Sequence, residues 1–207
     1  DPIGDRSLGV DSMTTRRSVW FLTHPQVVVD PDTPVPHWGL SAVGRQRAAA
    51  IAGARFLDAV TAVWSSTETK ARETAELVAG GMPRLELAQL GENDRSATGF
   101  VPPEQFEELA DAFFAHPERS VRGWATAADE QARIVAALES VLADPRSGDG
   151  DIVIVAHGGV GTLLLCHLLG QAITRDLDQP GQGHFFRFDR DTRALAHGWR
   201  PLEDLQI

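Results

Sequence analysis

The amino-acid sequence predicts a three-layer α/β/α fold with a mostly parallel central sheet and an antiparallel C-terminal hairpin. Short apolar runs alternate with helical patterns along most of the chain, which is typical of a parallel sheet covered by helices on both faces. Near the C-terminus this alternation stops, and two aromatic-rich runs, 185–188 and 194–199, flank a polar turn at 189–192. Two such runs joined by a short turn indicate the hairpin.

Two of the apolar runs end in a histidine. The run 19–22 is followed by Thr and His24, and the run 151–156 is followed by His157. Ligands of open α/β sheets bind at the carboxyl ends of the strands, so we expect both histidines at one edge of the sheet. Pro25 supports this position, because the residue before a proline is pushed towards extended backbone geometry. The runs 61–64 and 85–90 are interpreted as two further strands.

Helical patterns fill the segments between these strands. Apolar residues recur at helical spacing, and glycine, proline or capping residues bound most of the segments. A capping box of Ser65 and Glu68 is expected to open the helix that follows the second strand. The expected helices start at Ser41 and reach Leu57, run from Ser65 to Gly80, start at Pro102 and stop at His116, start at Thr126 and reach Leu142, and run from about Gly161 to Leu169.

Composition narrows the class of protein. The 207 residues fit one compact domain, and the formal net charge of −10 argues against binding to nucleic acid or an acidic membrane. No apolar run approaches the length of about 20 residues that spans a membrane. No secretory signal is visible, so the cytoplasm is the expected location. Cys166 is the only cysteine, so an intrachain disulfide is excluded. Because its neighbours are rich in leucine, we expect Cys166 to be a buried apolar residue.

The first twelve residues differ from the rest of the chain. Residues 1–12 are polar and lack periodicity, and Met13 resembles a natural start. We therefore interpret 1–12 as an expression remnant or a disordered leader. Residues 13–207 are expected to form a single domain.

The residues expected at one sheet edge have the chemistry of an anion site, with phosphate as the obvious ligand. Lys70 lies in the first turns of a helix, whose amino end carries free N–H groups and partial positive charge. The glycine turn that starts at Gly158 allows close approach of the backbone. A histidine can attack phosphorus, the second histidine can bind the transferred oxygens, and Glu92 in a polar turn is our choice for the acid that protonates the leaving oxygen.

Each of these residues also has a structural interpretation. A histidine at a strand end is more often a core or surface residue than a catalyst. Ser65 and Ser66 would then only cap a helix, and Lys70, Arg45 and Arg47 would be solvated charges on helices. Two histidines with Glu92 or Asp94 would be needed for a metal site, but no close His-x-His or His-x3-His spacing supports one, so we expect neither metal nor cofactor. The aromatic residues Trp38, Phe100, Phe114 and Trp124 either cap the site or belong to the core.

From Ser18 to Trp199 the chain resembles the histidine phosphatase superfamily, the phosphoglycerate-mutase-like proteins. Four parts carry the resemblance in order: the strand that ends in His24, the Leu-Ser helix start at 40–48, the segment 65–75, which is similar to Ser-Ser-Pro followed by Arg-Ala-x-x-Thr-Ala, and the Ala-His-Gly-Gly motif at 156–159. The resemblance implies that His24 is the phosphorylated nucleophile and His157 the second pocket histidine. Glu92 falls at the position of the proton donor, and Lys70 at the position of a pocket arginine.

The chain departs from the family pattern at residues that are expected to carry the chemistry of the site. Thr23 and Pro25 stand where the family has arginine and glycine, so one guanidinium and one backbone N–H are missing. Lys70 is a point charge in place of a bidentate guanidinium. We expect Thr23, Lys70, Arg95 and Gly158 to line the phosphate site. Our hypothesis is that Arg95 supplies the missing charge; the other candidates are Arg122 and Arg72, and a solvated Arg95 is the alternative.

Three functions are compatible with these residues. The first is a metal-independent phosphomonoesterase that acts on a small organic phosphate through a phosphohistidine at His24. The second is a degenerate member of the family that binds an anion, such as inorganic phosphate, or a protein partner without turnover. The third is a metal-dependent hydrolase. Retention of His24, Glu92 and His157 together favours the first, because binding alone needs no proton donor. The oligomeric state is not predicted.

Overall fold

A computed structural model describes residues 16–207, and within them the predicted three-layer α/β/α fold is confirmed. The interpretation of residues 1–12 lies outside the described residues. One sheet contains β1 (Ser18–Thr23), β2 (Val60–Ser65), β3 (Arg84–Glu86), β4 (Asp151–Ala156), β5 (His184–Asp189) and β6 (Leu195–Pro201). Their order across the sheet is β3-β2-β4-β1-β5-β6. The first four strands run parallel, whereas β5 and β6 form the predicted antiparallel hairpin beside β1.

Five α-helices cover the two faces of the sheet. They are α1 (Ala42–Ala50), α2 (Thr69–Ala79), α3 (Pro103–Ala115), α4 (Ala127–Ala143) and α5 (Gly158–Leu168). Apolar residues of α3, α4 and α5 pack with one face of the sheet in the larger core. On the other face α2 and the C-terminal residues Leu202 and Leu205 form a smaller core, and α1 packs against α2. None of the helices within residues 16–207 has the length and apolar character needed to cross a membrane.

Several element boundaries differ from the sequence-based prediction. The first helix ends at Ala50 rather than Leu57, because the chain turns at Gly53, whose φ is +73°, before a short 3-10 turn at 55–57. The third strand is limited to 84–86, where it pairs with β2, and a 3-10 turn at 88–90 follows it. Helix α5 begins at Gly158, directly after the histidine, and not near Gly161.

The predicted capping box at Ser65 was wrong. Ser65 is the last residue of β2, and α2 begins at Thr69 with Glu68 at the N-cap position and no side-chain cap. The backbone N–H of Glu68 instead donates to Ser66 Oγ at 3.3 Å. The Glu68 side chain is therefore free to point elsewhere. The helix expected to start at Thr126 does begin there, and the Thr126 hydroxyl caps it by accepting from the N–H of Asp129.

The pairing of β1 with β4 brings the two histidines together. Thr23 is the register partner of Ala156, and each is the last residue of its strand. His24 and His157 are the next residues, so they leave the sheet side by side from adjacent parallel strands. The backbone N–H of His24 still donates to the Ala156 carbonyl, at 3.3 Å, which extends the pairing by one step.

The substitution Gly161→Ala is expected to destabilise the fold. An added Cβ would lie 2.8 Å from Trp199 Cη2 and 2.9 Å from Phe21 Cε1, both in packed rings. Alanine favours a helix over glycine by about 1 kcal/mol, but overpacking a core costs about 1–3 kcal/mol. The two effects together leave a loss of about 0–2 kcal/mol, and we expect the free energy of unfolding, measured by denaturant titration, to fall by about 1 kcal/mol.

Gly81→Ala is the matched control for this prediction. No heavy atom lies within 4 Å of a Cβ built on Gly81, and its φ is not positive. The control should leave the free energy of unfolding unchanged or slightly raised. Equal stability of the Gly161→Ala variant and the unmodified protein would contradict close packing of α5 against the sheet.

Candidate active site

The site is centred on two buried imidazoles at the carboxyl edge of the sheet. The ring centroids of His24 and His157 are 5.3 Å apart, and the rings are inclined by 63°. His24 is 8% exposed and His157 is 1% exposed. The expectation that both histidines reach one edge of the sheet is met, and the space between them is largely shielded from water.

The hydrogen bond of His24 fixes its tautomer. Nδ1 lies 2.8 Å from the carbonyl oxygen of Pro25. A carbonyl only accepts, so Nδ1 carries the proton and Nε2 has a free lone pair. Burial, reinforced by repulsion from His157 and Lys70, lowers the pKa of His24 to about 3, so the ring is neutral at pH 7. A neutral imidazole with a free lone pair has the state that a nucleophile requires.

His157 is bound on one side by a serine and a glutamate. Its Nε2 lies 2.8 Å from Ser66 Oγ and 3.1 Å from Glu68 Oε2. Burial lowers the pKa of His157 to about 3, against the attraction of the Glu92 carboxylate and with repulsion from Lys70. The interpretation of Ser66 as only a helix cap was wrong, since its hydroxyl contacts the second histidine. Glu68 is a residue of the site that the sequence reasoning assigned to a capping box.

Glu92 lies across the amino end of α5. Its carboxylate accepts from the backbone N–H groups of Gly159 at 3.0 Å, Val160 at 2.9 Å and Asn93 at 2.9 Å. Burial opposes ionisation, but Arg95, His157 and these donors together lower the pKa of Glu92 to about 2. The carboxylate is therefore ionised at pH 7, and it occupies the helix end that the sequence suggested for an anion.

Lys70 is a buried cation and not the solvated charge of the alternative interpretation. It is 5% exposed, and its Nζ donates to the Val35 carbonyl at 3.0 Å. The Nζ also lies 3.6 Å from Glu68 Oε1 and 5.5 Å from the centroid of the Trp38 ring. Burial lowers the pKa of Lys70, and the carboxylates of Glu68 and Glu92 oppose that shift. A positive charge is thus held in the site by one carbonyl, one carboxylate and one aromatic face.

Arg95 lies beside Glu92. One guanidinium nitrogen is 3.4 Å from Glu92 Oε2, and the group stacks over the rings of Phe106 at 4.7 Å and Trp124 at 5.6 Å. The two other arginines considered from the sequence lie elsewhere: Arg72 pairs with Glu86 at 2.8 Å, and Arg122 is exposed. Arg95 is therefore the arginine among the three that adjoins a site residue, and its contact with phosphate stays a prediction.

Gln179 lies against both Thr23 and Gly158. The Thr23 hydroxyl donates to Gln179 Oε1 at 2.7 Å and accepts from the His184 N–H at 2.9 Å. A Cβ added to Gly158 would lie 2.2 Å from Gln179 Nε2, so only glycine leaves room for this amide. The hydroxyl of Thr23 is thus already occupied. Gln179 was missed because its segment, between α5 and β5, has no periodicity to indicate where it folds.

Two arginines hold the loops of the site in place. Arg47 of α1 donates to the carbonyls of Gln182 and Gly183, each at 2.9 Å, and the Gly183 N–H donates to the His24 carbonyl at 3.0 Å. The interpretation of Arg47 as a solvated charge was therefore wrong. From α4, Arg133 donates to the Glu92 carbonyl at 3.2 Å. It also binds the carbonyls of Gln89 and Gly91 and pairs with Glu130.

Comparison with a family model identifies the superfamily of the chain. The model of the histidine phosphatase superfamily (branch 1) matches residues 26–185, more than three quarters of the chain. The chain belongs to this superfamily. The matched range includes Lys70, Glu92 and His157, but it begins two residues after His24, so the unusual Thr-His-Pro motif lies outside it.

Solved structures of similar proteins share the fold. Bacillus stearothermophilus YhfR superimposes with a TM-score of 0.71 at 22% identity, over 87% of this chain and 94% of that chain. A mycobacterial glucosyl-3-phosphoglycerate phosphatase in complex with inorganic phosphate gives 0.69 at 21% identity, over 89% and 94%. Thermus thermophilus TTHB049 gives 0.61 at 22%, over 88% and 98%. A comparison with curated proteins found no match.

Each cation of the candidate site lies beside a carboxylate. The cations Lys70 and Arg95 each lie within 4 Å of a carboxylate, Glu68 and Glu92 respectively.

Among residues 16–207, no group of three or more His, Cys, Asp and Glu side chains is arranged to hold a metal ion. Cys166 is buried, as expected, and burial raises the pKa of its thiol.

The substitution His24→Gln is expected to flatten the pH dependence of stability. His24 has a pKa of about 3 in the folded protein and 6.5 as its ordinary value, so only the unfolded chain takes up a proton as the pH falls from 7 to 5. The contribution of neutral His24 to the free energy of unfolding is therefore complete above pH 6.5 and is lost progressively as the pH falls towards 3. This residue alone should remove about 2 kcal/mol between pH 7 and pH 5, and the variant should lack that loss.

Denaturant titrations at pH 7, 6 and 5 measure this difference. The exposed His37 provides the control, because its side chain is in water before and after unfolding, and His37→Gln should keep the pH dependence of the unmodified protein. If the His24→Gln variant lost stability as steeply as the unmodified protein, His24 would not be held neutral by burial.

Proposed function

We propose that the protein is a metal-independent phosphomonoesterase that acts on a small organic phosphate through a phosphohistidine at His24. The observation that carries this proposal is the state of His24. Its Nδ1 proton is committed to Pro25, its Nε2 is free, and its ring is neutral and adjoins His157. Membership of the histidine phosphatase superfamily supports the reaction class.

The proposed reaction has two displacements at phosphorus. In the first, the lone pair of His24 Nε2 forms a bond to phosphorus while the bond between phosphorus and the ester oxygen breaks, and that oxygen takes a proton from an acid. In the second, water attacks the phosphohistidine, the N–P bond breaks, and the acid regains a proton from the water. Inorganic phosphate leaves, and the imidazole returns neutral.

The phosphoryl charge is stabilised by this chain's own cations and donors. Lys70 and Arg95 supply positive charge, and His157 supplies a hydrogen bond to a phosphoryl oxygen. The backbone at Gly158 allows a close approach beside the amino end of α5. Because the site is largely buried, each of these contacts acts in a low dielectric, where it is stronger than in water.

Glu92 is the proposed acid, although it is ionised in the free protein. Its pKa of about 2 depends on Arg95, His157 and backbone donors. A bound phosphate dianion is a like charge near the carboxylate and also draws Arg95 to itself, and both changes raise a carboxyl pKa. In this proposal substrate binding brings Glu92 to the protonated form that donates to the leaving oxygen.

The entrance of the site offers an apolar surface to the rest of the substrate. Phe100 is 39% exposed, and its ring lies 5.6 Å from that of Trp38, which in turn adjoins Lys70. The other two aromatic residues considered for this role, Phe114 and Trp124, are buried in the core. The similar mycobacterial phosphatase has been solved with inorganic phosphate and with VO3, which supports an anionic phosphate ligand here.

A second candidate function is binding of an anion without turnover. The observation in its favour is the occupied hydroxyl of Thr23, which replaces a pocket arginine and is bonded to Gln179. With that cation missing, the site has less charge to stabilise a transition state. One charged hydrogen bond is worth about 1.5–3 kcal/mol, or roughly one to two powers of ten in rate.

Hydrolysis of a panel of phosphomonoesters in the presence of a chelator tests the proposal. The unmodified protein should release inorganic phosphate, and His24→Gln should release none above background, because the nucleophile is absent. Arg45→Gln, a change at an exposed residue of α1, is the control and should retain activity. Absence of turnover by the unmodified protein would favour the non-catalytic binder, and loss of activity on chelation would favour a metal-dependent hydrolase.

A comparison of substrates with different leaving groups tests the role of Glu92. Glu92→Gln should lower kcat for alkyl phosphates by about 10²–10⁴-fold, because their alkoxide needs a proton in the transition state. For p-nitrophenyl phosphate, whose leaving group is stable as an anion, the decrease should be much smaller. Steady-state kinetics with both substrates measures the difference. An equal decrease for the two would show that Glu92 only positions α5.

A further inference from the structure

Glu68 makes contacts that its place in the sequence does not explain. Its Oε2 lies 3.1 Å from His157 Nε2 and accepts from the Glu92 N–H at 2.8 Å. Its Oε1 lies 3.6 Å from Lys70 Nζ. The side chain is 13% exposed, so these contacts are made away from bulk water. One carboxylate thus contacts the second histidine, a backbone donor and the buried cation.

Two of these partners, His157 and Lys70, are groups that the proposed function assigns to the phosphoryl oxygens. An imidazole N–H, an ammonium group and a backbone N–H are all donors suited to an anion, and a carboxylate has an anion's two oxygens. His157 Nε2 faces both Glu68 Oε2, at 3.1 Å, and Ser66 Oγ, at 2.8 Å. An anion that belongs to the chain therefore already lies against these groups of the site.

We propose that Glu68 is a specificity-determining residue that competes with the phosphate of the ligand for His157 and Lys70. This inference rests on the proposed function. A phosphate that binds both groups must displace the carboxylate or lie beside it, and two anions at such distance in a partly buried site repel strongly. Glu68 therefore weakens the affinity for free phosphate and leaves the rest of the substrate to supply the binding free energy.

The substitution Glu68→Gln isolates this effect. Glutamine keeps an oxygen that can accept from the Glu92 N–H, so this hydrogen bond is retained while the charge is removed. We expect inorganic phosphate and vanadate to bind the Glu68→Gln protein about tenfold or more tightly than the unmodified protein. Isothermal titration calorimetry at constant pH and ionic strength measures both affinities.

Glu76→Gln is the matched control. Glu76 is exposed on the same helix, eight residues or about 12 Å along its axis, and the substitution makes the same change in net charge. Its affinity for phosphate should stay within about twofold of the unmodified protein. A second variant, Glu68→Ala, removes the contacts as well as the charge and should also bind phosphate more tightly. Thermal unfolding of each variant shows whether the fold is intact.

The outcomes separate this inference from the proposed function. Tighter phosphate binding by both Glu68 variants supports the inference, even if no variant hydrolyses an ester. Unchanged affinity in folded Glu68→Gln and Glu68→Ala proteins would overturn it, even if the unmodified protein is an active phosphatase. Failure of every variant to bind phosphate would also overturn it, because Glu68 would then not be the barrier. In an active protein, Glu68→Gln should lower KM for p-nitrophenyl phosphate, whereas Glu76→Gln should not.

Discussion

The parallel pairing of β1 with β4 is the constraint on which the site depends. Because Thr23 and Ala156 are register partners at the ends of their strands, the next residue of each strand is placed beside the other. A shift of register by one residue would reverse the faces to which the side chains of the strand point. The buried residues Phe21 and Ile154 prevent such a shift, since each packs in the larger core. The geometry of the two imidazoles is therefore a consequence of core packing.

The local chemistry of His24 follows from the proline after it. A proline has no N–H, so this position offers no backbone donor to an anion, but its carbonyl accepts from Nδ1. That hydrogen bond selects the tautomer with a free Nε2, and burial keeps the ring neutral. The same residue thus offers no backbone donor to an anion and leaves the Nε2 lone pair of His24 available, which is what the proposed nucleophile requires.

The fold and the two histidines could be predicted because they depend on local patterns. Apolar runs of strand length, each followed by a histidine, are visible in the sequence. The partners of Glu68, Gln179, Arg47 and Arg133 could not be predicted in this way, because each contact joins segments that are distant in the chain. Arg47 and Gly183, for example, are 136 residues apart and meet only after α1 has packed beside the start of β5. A glutamate three residues after a serine also fits a capping box, and the same spacing therefore concealed the contact of Glu68 with His157.

The charges of the site would make binding of the proposed phosphate ligand an exchange of anions. In the free protein, the amino end of α5 is occupied by Glu92, Arg95 is paired with Glu92, and Lys70 and His157 are in contact with Glu68. Each buried cation and donor thus has a carboxylate, which avoids the cost of an unpaired charge in a largely dry site. The free energy of binding of a phosphate ligand would then be only the difference between the contacts that it makes and the contacts that it replaces. In the proposed function, a free phosphate would replace like with like, whereas an ester would add contacts with the apolar surface formed by Trp38 and Phe100. Discrimination between ester and free phosphate would then depend on the two carboxylates together with that surface.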